Sequence, residues 1–281
     1  SFFEKAYRRF WDHLDSQQPR DPPRSYDLCQ NLEKARWSVT FVGLMVEGEL
    51  RESINLVNAW TRHLLELEAW STVLRTYSED DAWSLRTHFV EPAVYYCMLQ
   101  PSSTRDRLAQ VATNGIHQAN LRTVPGYKDE LKQDKLRAGR FLGRKEAENQ
   151  LAEIGKHWIA NDRLLRALRS LDSEEHRENT LHYRNEASHF IAPRLELGEV
   201  QIVTRDIVPD QKIIERDDGT CRFEDIPNTN TVSYRVGGIR PLTLAEVIES
   251  NSLQLQLAKK ALEAYSAVLR EALTAMDKLS S

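Results

Sequence analysis

From Leu28 to about Tyr77 the apolar side chains recur every three or four positions. Leu28, Leu32, Trp37, Phe41, Leu44, Met45, Leu56, Trp60, Leu64, Leu67 and Trp70 fall along one stripe of a 3.6-residue turn. A stripe that long has to be covered by other helices, so it constrains the whole chain toward a helical bundle. The spacing predicts a long helix over this stretch, bending near Gly48.

Punctuation divides the rest. Residues 2–14 carry Phe2, Phe3, Tyr7, Phe10, Trp11 and Leu14 at helical spacing. The proline-rich stretch 17–25 ends that helix, which is read as an N-terminal extension. Ser78, followed by Glu79, Asp80 and Asp81, is a helix start, with a hydroxyl cap and acids at the positive end of the dipole. Pro101-Ser102-Ser103-Thr104 predicts another start, with helix to about Leu121, and residues 123–128 form a connector. A helix is expected from about 145 to 170. Asp172 with Glu175 three positions on matches a capping box and opens a helix that Pro193 closes.

Between about 197 and 240 the texture changes to Val, Ile and Thr, with Asp218-Gly219 as a tight turn. This segment is expected to be a small antiparallel hairpin or a three-stranded insert. Pro241-Leu242-Thr243 then leads into a last long helix through Leu273. The expected fold is mainly α: one helical domain over 1–281, with a β insert before its final helix.

The composition narrows the function classes. A net charge of −4 argues against a protein coated in positive charge for non-specific nucleic-acid binding, while leaving room for a local basic stripe. No apolar run approaches the roughly 20 residues of a membrane span, and no basic–apolar–small leader opens the chain. Cys29, Cys97 and Cys221 are far apart and odd in number, so neither a disulfide framework nor a zinc spacing is read, and a reducing cytoplasm is expected. No cofactor or metal is expected. Glu47, Glu49 and Glu52 form a carboxylate cluster without a matching histidine. Phosphate-cradling glycine loops, nucleophile elbows and dinucleotide fingerprints do not occur.

One short stretch carries chemistry. Residues 184–189 read Arg-Asn-Glu-Ala-Ser-His. Four Arg/His pairs share such a spacing, namely Arg8/His13, Arg169/His176, Arg177/His182 and Arg184/His189. Spacing alone therefore selects nothing. Only in the last is the Arg followed by a neutral polar residue, Asn185, and preceded by an aromatic, Tyr183. With an Arg, a polar residue and a His placed late in a helical bundle, this stretch resembles the motif of the HEPN superfamily (higher eukaryotes and prokaryotes nucleotide-binding). The likeness covers the six residues and the general architecture. It implies a metal-independent endoribonuclease, working as a homodimer in a toxin–antitoxin or phage-defence setting, with an RNA substrate and a neutralising or regulatory protein partner. It maps Arg184 and His189 to the catalytic pair and Asn185 to the adjacent polar position. One branch of the family carries a tyrosine two positions after the His; here Ile191 stands there, so that branch is disfavoured.

The residue types suit the reaction. Cleaving RNA without a metal requires a proton taken from the 2′-hydroxyl, a proton given to the departing 5′-oxygen, and relief of the charge growing on phosphorus. Histidine titrates near neutral pH and serves the first two needs. Arginine stays charged and matches phosphate oxygens with two parallel donors. On a regular helix, positions five apart lie about 140° apart. Arg184 and His189 then do not share a face, whereas Asn185 and Glu186 sit near His189. The family's dimer would bring a second copy of each group.

Plainer alternatives stand beside each reading. Arg184 and His189 can occupy a solvated helix face. The protein can be a catalytically inactive module binding nucleotide, RNA or a protein, with its β insert as the interface, or a helical scaffold whose pair is accidental. Asn114 and His117, in a polar run ending at Asn120, either line a cleft or form a buried hydrogen-bond network. Lys132, Lys135, Arg137 and Arg140, within the basic run 122–145, either follow an RNA backbone or form a wet surface. Trp37, Trp60, Trp70 and Trp158 are read as core.

Overall fold

A computed structural model describes residues 1–16, 22–137, 140 and 142–279. The chain divides into two compact units: Ser1–Arg184 with Leu244–Ser281, and Asn185–Thr243. The second begins at Asn185, ahead of the residue near 197 where the β texture sets in.

The first unit is helical. Helix α1 runs over Phe2–Ser16 and α2 over Val42–Leu74. Next come α3 (Glu79–Leu85), α4 (Glu91–Thr123), α5 (Arg144–Ile154) and α6 (Asn161–Ser170). Two short helices, α7 (Glu174–Asn179) and α8 (Tyr183–His189), precede the second unit, and α9 covers Leu244–Lys278. Helices α2, α4 and α9 pack on one another, with α1 on α2, α5 on α4 and α6 on α9. Ile54, Leu67, Leu108, Ile116 and Leu262 are essentially inaccessible at their centre. Each such side chain contributes about 1.5–3 kcal/mol on leaving water. Trp37, Trp60, Trp70 and Trp158 are buried as expected, whereas Trp11 and Trp83 are exposed.

Several boundaries differ from expectation, each for a local reason. The stripe from Leu28 is α-helical only from Val42 onward, with a short 3-10 turn at Tyr26–Cys29 before it. Upstream, Asn31 takes a left-handed φ of 66°. The buried Trp37 donates its indole N–H to the Leu32 carbonyl at 2.8 Å, so burial there follows a folded-back loop. Helix α2 passes through Gly48 without interruption. The proline-rich break is described only from residue 22 on, and its residues 17–21 lie outside the described residues.

Ser78 does cap α3, its hydroxyl accepting from the Asp81 amide. Pro101, however, lies inside α4 rather than opening a helix. A proline removes one backbone donor, but here the buried face continues on both sides through Cys97, Met98 and Leu108. The Ser102 hydroxyl, expected to help start a helix, instead accepts from Arg144 at 2.6 Å.

The helix expected over 145–170 is broken by a 3-10 turn at Gly155–His157. Gly155 is required there, because a Cβ would come within 2.1 Å of the Asn161 side-chain nitrogen. The late helix expected to run from Asp172 to Pro193 is likewise two helices. Leu181 and His182 separate them in left-handed conformations, at φ 51° and 52°. Its cap is Ser173, which accepts from the His176 amide, and not Asp172.

The second unit is a two-stranded antiparallel ribbon, β1 (Val200–Glu215) and β2 (Cys221–Ile239). Gly219 takes φ +80° in the turn, as the Asp-Gly pair predicts. Register runs from Val200 opposite Ile239 to Glu215 opposite Cys221, with an irregularity between Pro209 and Gln211. Its base is closed by hydrogen bonds from the Glu196 amide to the Leu242 carbonyl and from the Leu242 amide to the Arg194 carbonyl.

Candidate functional site

The three motif residues all lie on α8. Arg184, Asn185 and His189 are exposed, while Tyr183 beside them is buried. The division between the two units falls inside this helix: Arg184 ends one segment of the first unit and Asn185 begins the second. Tyr183 anchors the first-unit end. Its burial pushes the phenol up to about 12, so it stays neutral. Just upstream, the His182 amide donates to the Arg177 carbonyl at 2.7 Å, and the Thr180 hydroxyl donates to the His176 carbonyl at 2.8 Å.

The approach to α8 is held at one corner, Leu171-Asp172. Asp172 is buried at φ +48°. Its carboxylate pairs with Arg144 from α5 and with Arg177 from α7, the latter at 3.4 Å. Arg105 from α4 donates to the Leu171 carbonyl at 2.7 Å and also binds Glu148 Oε1 at 2.7 Å. Gln254 from α9 accepts from the Asp172 amide at 2.9 Å. Four elements thus converge on two residues. The sequence signal that could have pointed here is weak: an acid next to a Ser cap, which reads more naturally as the cap itself.

The remaining sequence candidates scatter. Asn114 donates to Glu49 Oε1 at 2.8 Å. His117 is buried, with Nδ1 2.9 Å from the Tyr127 hydroxyl and Nε2 2.8 Å from Asp129 Oδ1. A neutral ring that accepts from the phenol and donates to the carboxylate satisfies both contacts. Nearby, the buried Asn120 accepts from the Trp158 indole and donates to the Ile154 carbonyl, so this polar run is a hydrogen-bond network inside the first unit. Lys132 sits 3.5 Å from Glu153 at the surface, and Lys135 and Arg137 are exposed.

Arg140 belongs to a feature the sequence reading missed, a cavity of about 960 Å³ within the first unit. Its walls come from α2 at Gly48 and Glu49, from α4 at Arg107 and Gln110, and from Gln133, Arg140 and Gln150 beyond α4. Burial raises the Glu49 carboxyl above the ordinary range, against the lowering effect of its bond from Asn114. Asn114 and Arg140 are therefore brought to one region, through Glu49, whereas His117 serves the separate network. No spacing rule announces a cavity walled by positions as far apart as Gly48 and Gln150.

Among the described residues no three His, Cys, Asp or Glu side chains gather as a metal site, and no helix is long and apolar enough to cross a membrane. No family model matches this chain, and neither a curated protein nor a solved structure does.

Proposed function

We propose that this chain is a metal-independent endoribonuclease of the HEPN type, with Arg184, Asn185 and His189 as its reacting residues. One observation carries the reading: all three motif residues are exposed on a single short helix late in a mainly helical chain. His189 exchanges protons with the 2′-hydroxyl and the departing 5′-oxygen, and Arg184 balances the charge that grows on phosphorus. A second copy of the chain supplies the second histidine, so that one acts as base and the other as acid. The products are a 2′,3′-cyclic phosphate and a free 5′-hydroxyl, and DNA, lacking the 2′-hydroxyl, is inert. A cytoplasmic toxin or phage-defence role with a neutralising partner is part of the same proposal, resting on the motif.

The test is incubation of purified protein with total RNA, wild type beside His189→Ala, with mapping of the cut ends. Cyclic-phosphate ends from the wild type and none from the variant support the proposal. Undiminished cleavage by the variant overturns it.

A second reading, a non-catalytic module whose ribbon carries the interface, has its own support. The cross-strand pairs Val203–Val236 and Ile213–Phe223 are well exposed. Apolar surface of that kind marks interaction sites. Under this reading ribbon substitutions abolish partner capture while His189→Ala changes nothing.

A further inference from the structure

We propose that the exposed apolar face of the ribbon packs on the same face of a second copy of this chain, turned end for end about a two-fold axis at position 210. The inference rests on the reading in which the ribbon carries an interface, and not on the ribonuclease chemistry, since Arg184, Asn185 and His189 lie on neither strand.

Alternation along β1 sorts the ribbon into two unlike faces. Odd positions from Val203 to Glu215 are exposed, and their partners across the ladder are exposed with them. This face holds the cross-strand pairs Val203–Val236, Ile207–Val232 and Ile213–Phe223. The other face carries ion pairs closed within the ribbon, Arg235 with Asp206 at 2.8 Å and Lys212 with Glu224 at 3.4 Å.

Two strands alone are marginal in water, and an apolar face of this kind calls for a further layer. Its apolar side chains, including Tyr234 opposite Arg205, are 42% to 79% exposed. Together they leave roughly 800 Å² open, which is one partner's share of a standard interface.

The order of residues on that face identifies the occupant. Outward from position 210, Ile207 and Ile213 each lie three residues away. Arg205 and Glu215 each lie five residues away, about 17 Å along an extended strand. Val232 and Phe223 repeat the symmetry on β2, opposite Ile207 and Ile213. A copy turned end for end therefore lays Ile207 on Ile213, Val232 on Phe223 and Arg205 on Glu215, each contact occurring twice. Side chains from two such faces interdigitate across about 10 Å.

The charges fit the same arrangement. Arg205 and Glu215 are exposed, and neither side chain has an ion pair or hydrogen bond among the described residues of its own chain. They have opposite signs, so the orientation that stacks the apolar pairs also closes two ion pairs between the copies. A lipid surface or an unrelated apolar partner would leave both charges facing apolar matter. Complementarity of this sort fixes register as well as partner.

The test is sedimentation velocity on the full chain over a concentration series up to about 100 µM, above the weakest affinities expected for an interface of this size. Wild type should self-associate. Arg205→Glu and Glu215→Arg, each alone, set like charges against each other twice and should raise the dissociation constant about tenfold or more. Both positions are exposed, so melting curves should stay close to wild type. An equimolar mixture of the two variants should recover wild-type association. In the mixed pair the two altered side chains meet each other and the two native ones do likewise, with opposite signs in both contacts. Ile207→Asp should abolish association, and the charge variants decide the matter if that protein does not fold. Three results overturn the inference. A wild type that stays monomeric does so while leaving the ribbon as an interface for a different protein. Single variants that associate like wild type place the contact on another surface, with the ribonuclease reading untouched. A mixture no tighter than its components excludes the end-for-end pairing.

Discussion

The indole N–H of Trp60 donates to Asn251 Oδ1 at 3.1 Å, joining α2 to α9 where both residues are fully buried. Asn251 also donates to the Val247 carbonyl at 2.9 Å and contacts Met98 Sδ of α4 at 3.3 Å. One amide therefore keys all three long helices. Replacing Asn251 by Leu leaves the Trp60 donor unsatisfied in an apolar setting. The expected cost is about 1–3 kcal/mol, read from the urea midpoint. Adding Trp60→Phe should recover part of that loss, because both polar partners are then gone.

Glu148 is paired with Arg105 at 2.7 Å, with both side chains largely shielded from water. Glu148→Ala leaves a cation in the wall that supports the Leu171-Asp172 corner. Breaking such a pair from one side costs about 3–5 kcal/mol. Chemical denaturation measures this, and a double Arg105→Met, Glu148→Met protein should be more stable than Glu148→Ala alone.

Two glycines in helices should respond oppositely. At Gly115 a Cβ would lie 2.2 Å from the Tyr265 hydroxyl, which donates to the Val111 carbonyl at 3.1 Å. Gly115→Ala must push α9 away or break that bond, at about 1–3 kcal/mol. Gly48 faces open space in α2, so Gly48→Ala should raise stability by about 0.5–1 kcal/mol through helix propensity. Melting curves of the two variants, run together, check both signs.

His176 gives a pH dependence. Its ring is buried and 2.9 Å from the Ser250 hydroxyl, and burial lowers its pKa, with Asp172 opposing and Arg177 adding to the effect. Between the lowered folded value and the ordinary 6.5, the unfolded chain holds the extra proton, so stability falls as pH drops through that window. Above it, both states are neutral and the contribution vanishes. Urea midpoints of wild type and His176→Gln between pH 7.5 and 5 should show a shallower decline in the variant.

His189 is exposed, so His189→Ala should leave the melting temperature within the small range of surface substitutions. Under the proposed ribonuclease function, RNA cleavage by the variant is expected about 10²–10⁴-fold below wild type, the usual contribution of a proton-transferring side chain. A collapse of stability in this variant would place His189 in a structural role instead.

The sequence by itself determined the helix-rich character, the hairpin before the last helix, the Ser78 cap, the Asp-Gly turn and the burial of Trp37, Trp60, Trp70 and Trp158. Each of these is written locally, as a hydrophobic period, a capping hydroxyl or a turn residue. Tertiary packing decided what competes with local preference. Pro101 stays inside α4 because its neighbours are buried on both sides, and Leu181 and His182 turn left-handed between two short helices. Asp172 leaves the cap to Ser173 because three arginines and Gln254 converge on its corner. The motif at 184–189 was legible as residue types, but the chain boundary that falls after Arg184 was not. The cavity with Gly48, Glu49 and Arg107 was invisible, since its walls come from segments far apart in the chain. Periodicity reports which side of a helix is dry; only the packed helices decide where space is left between them.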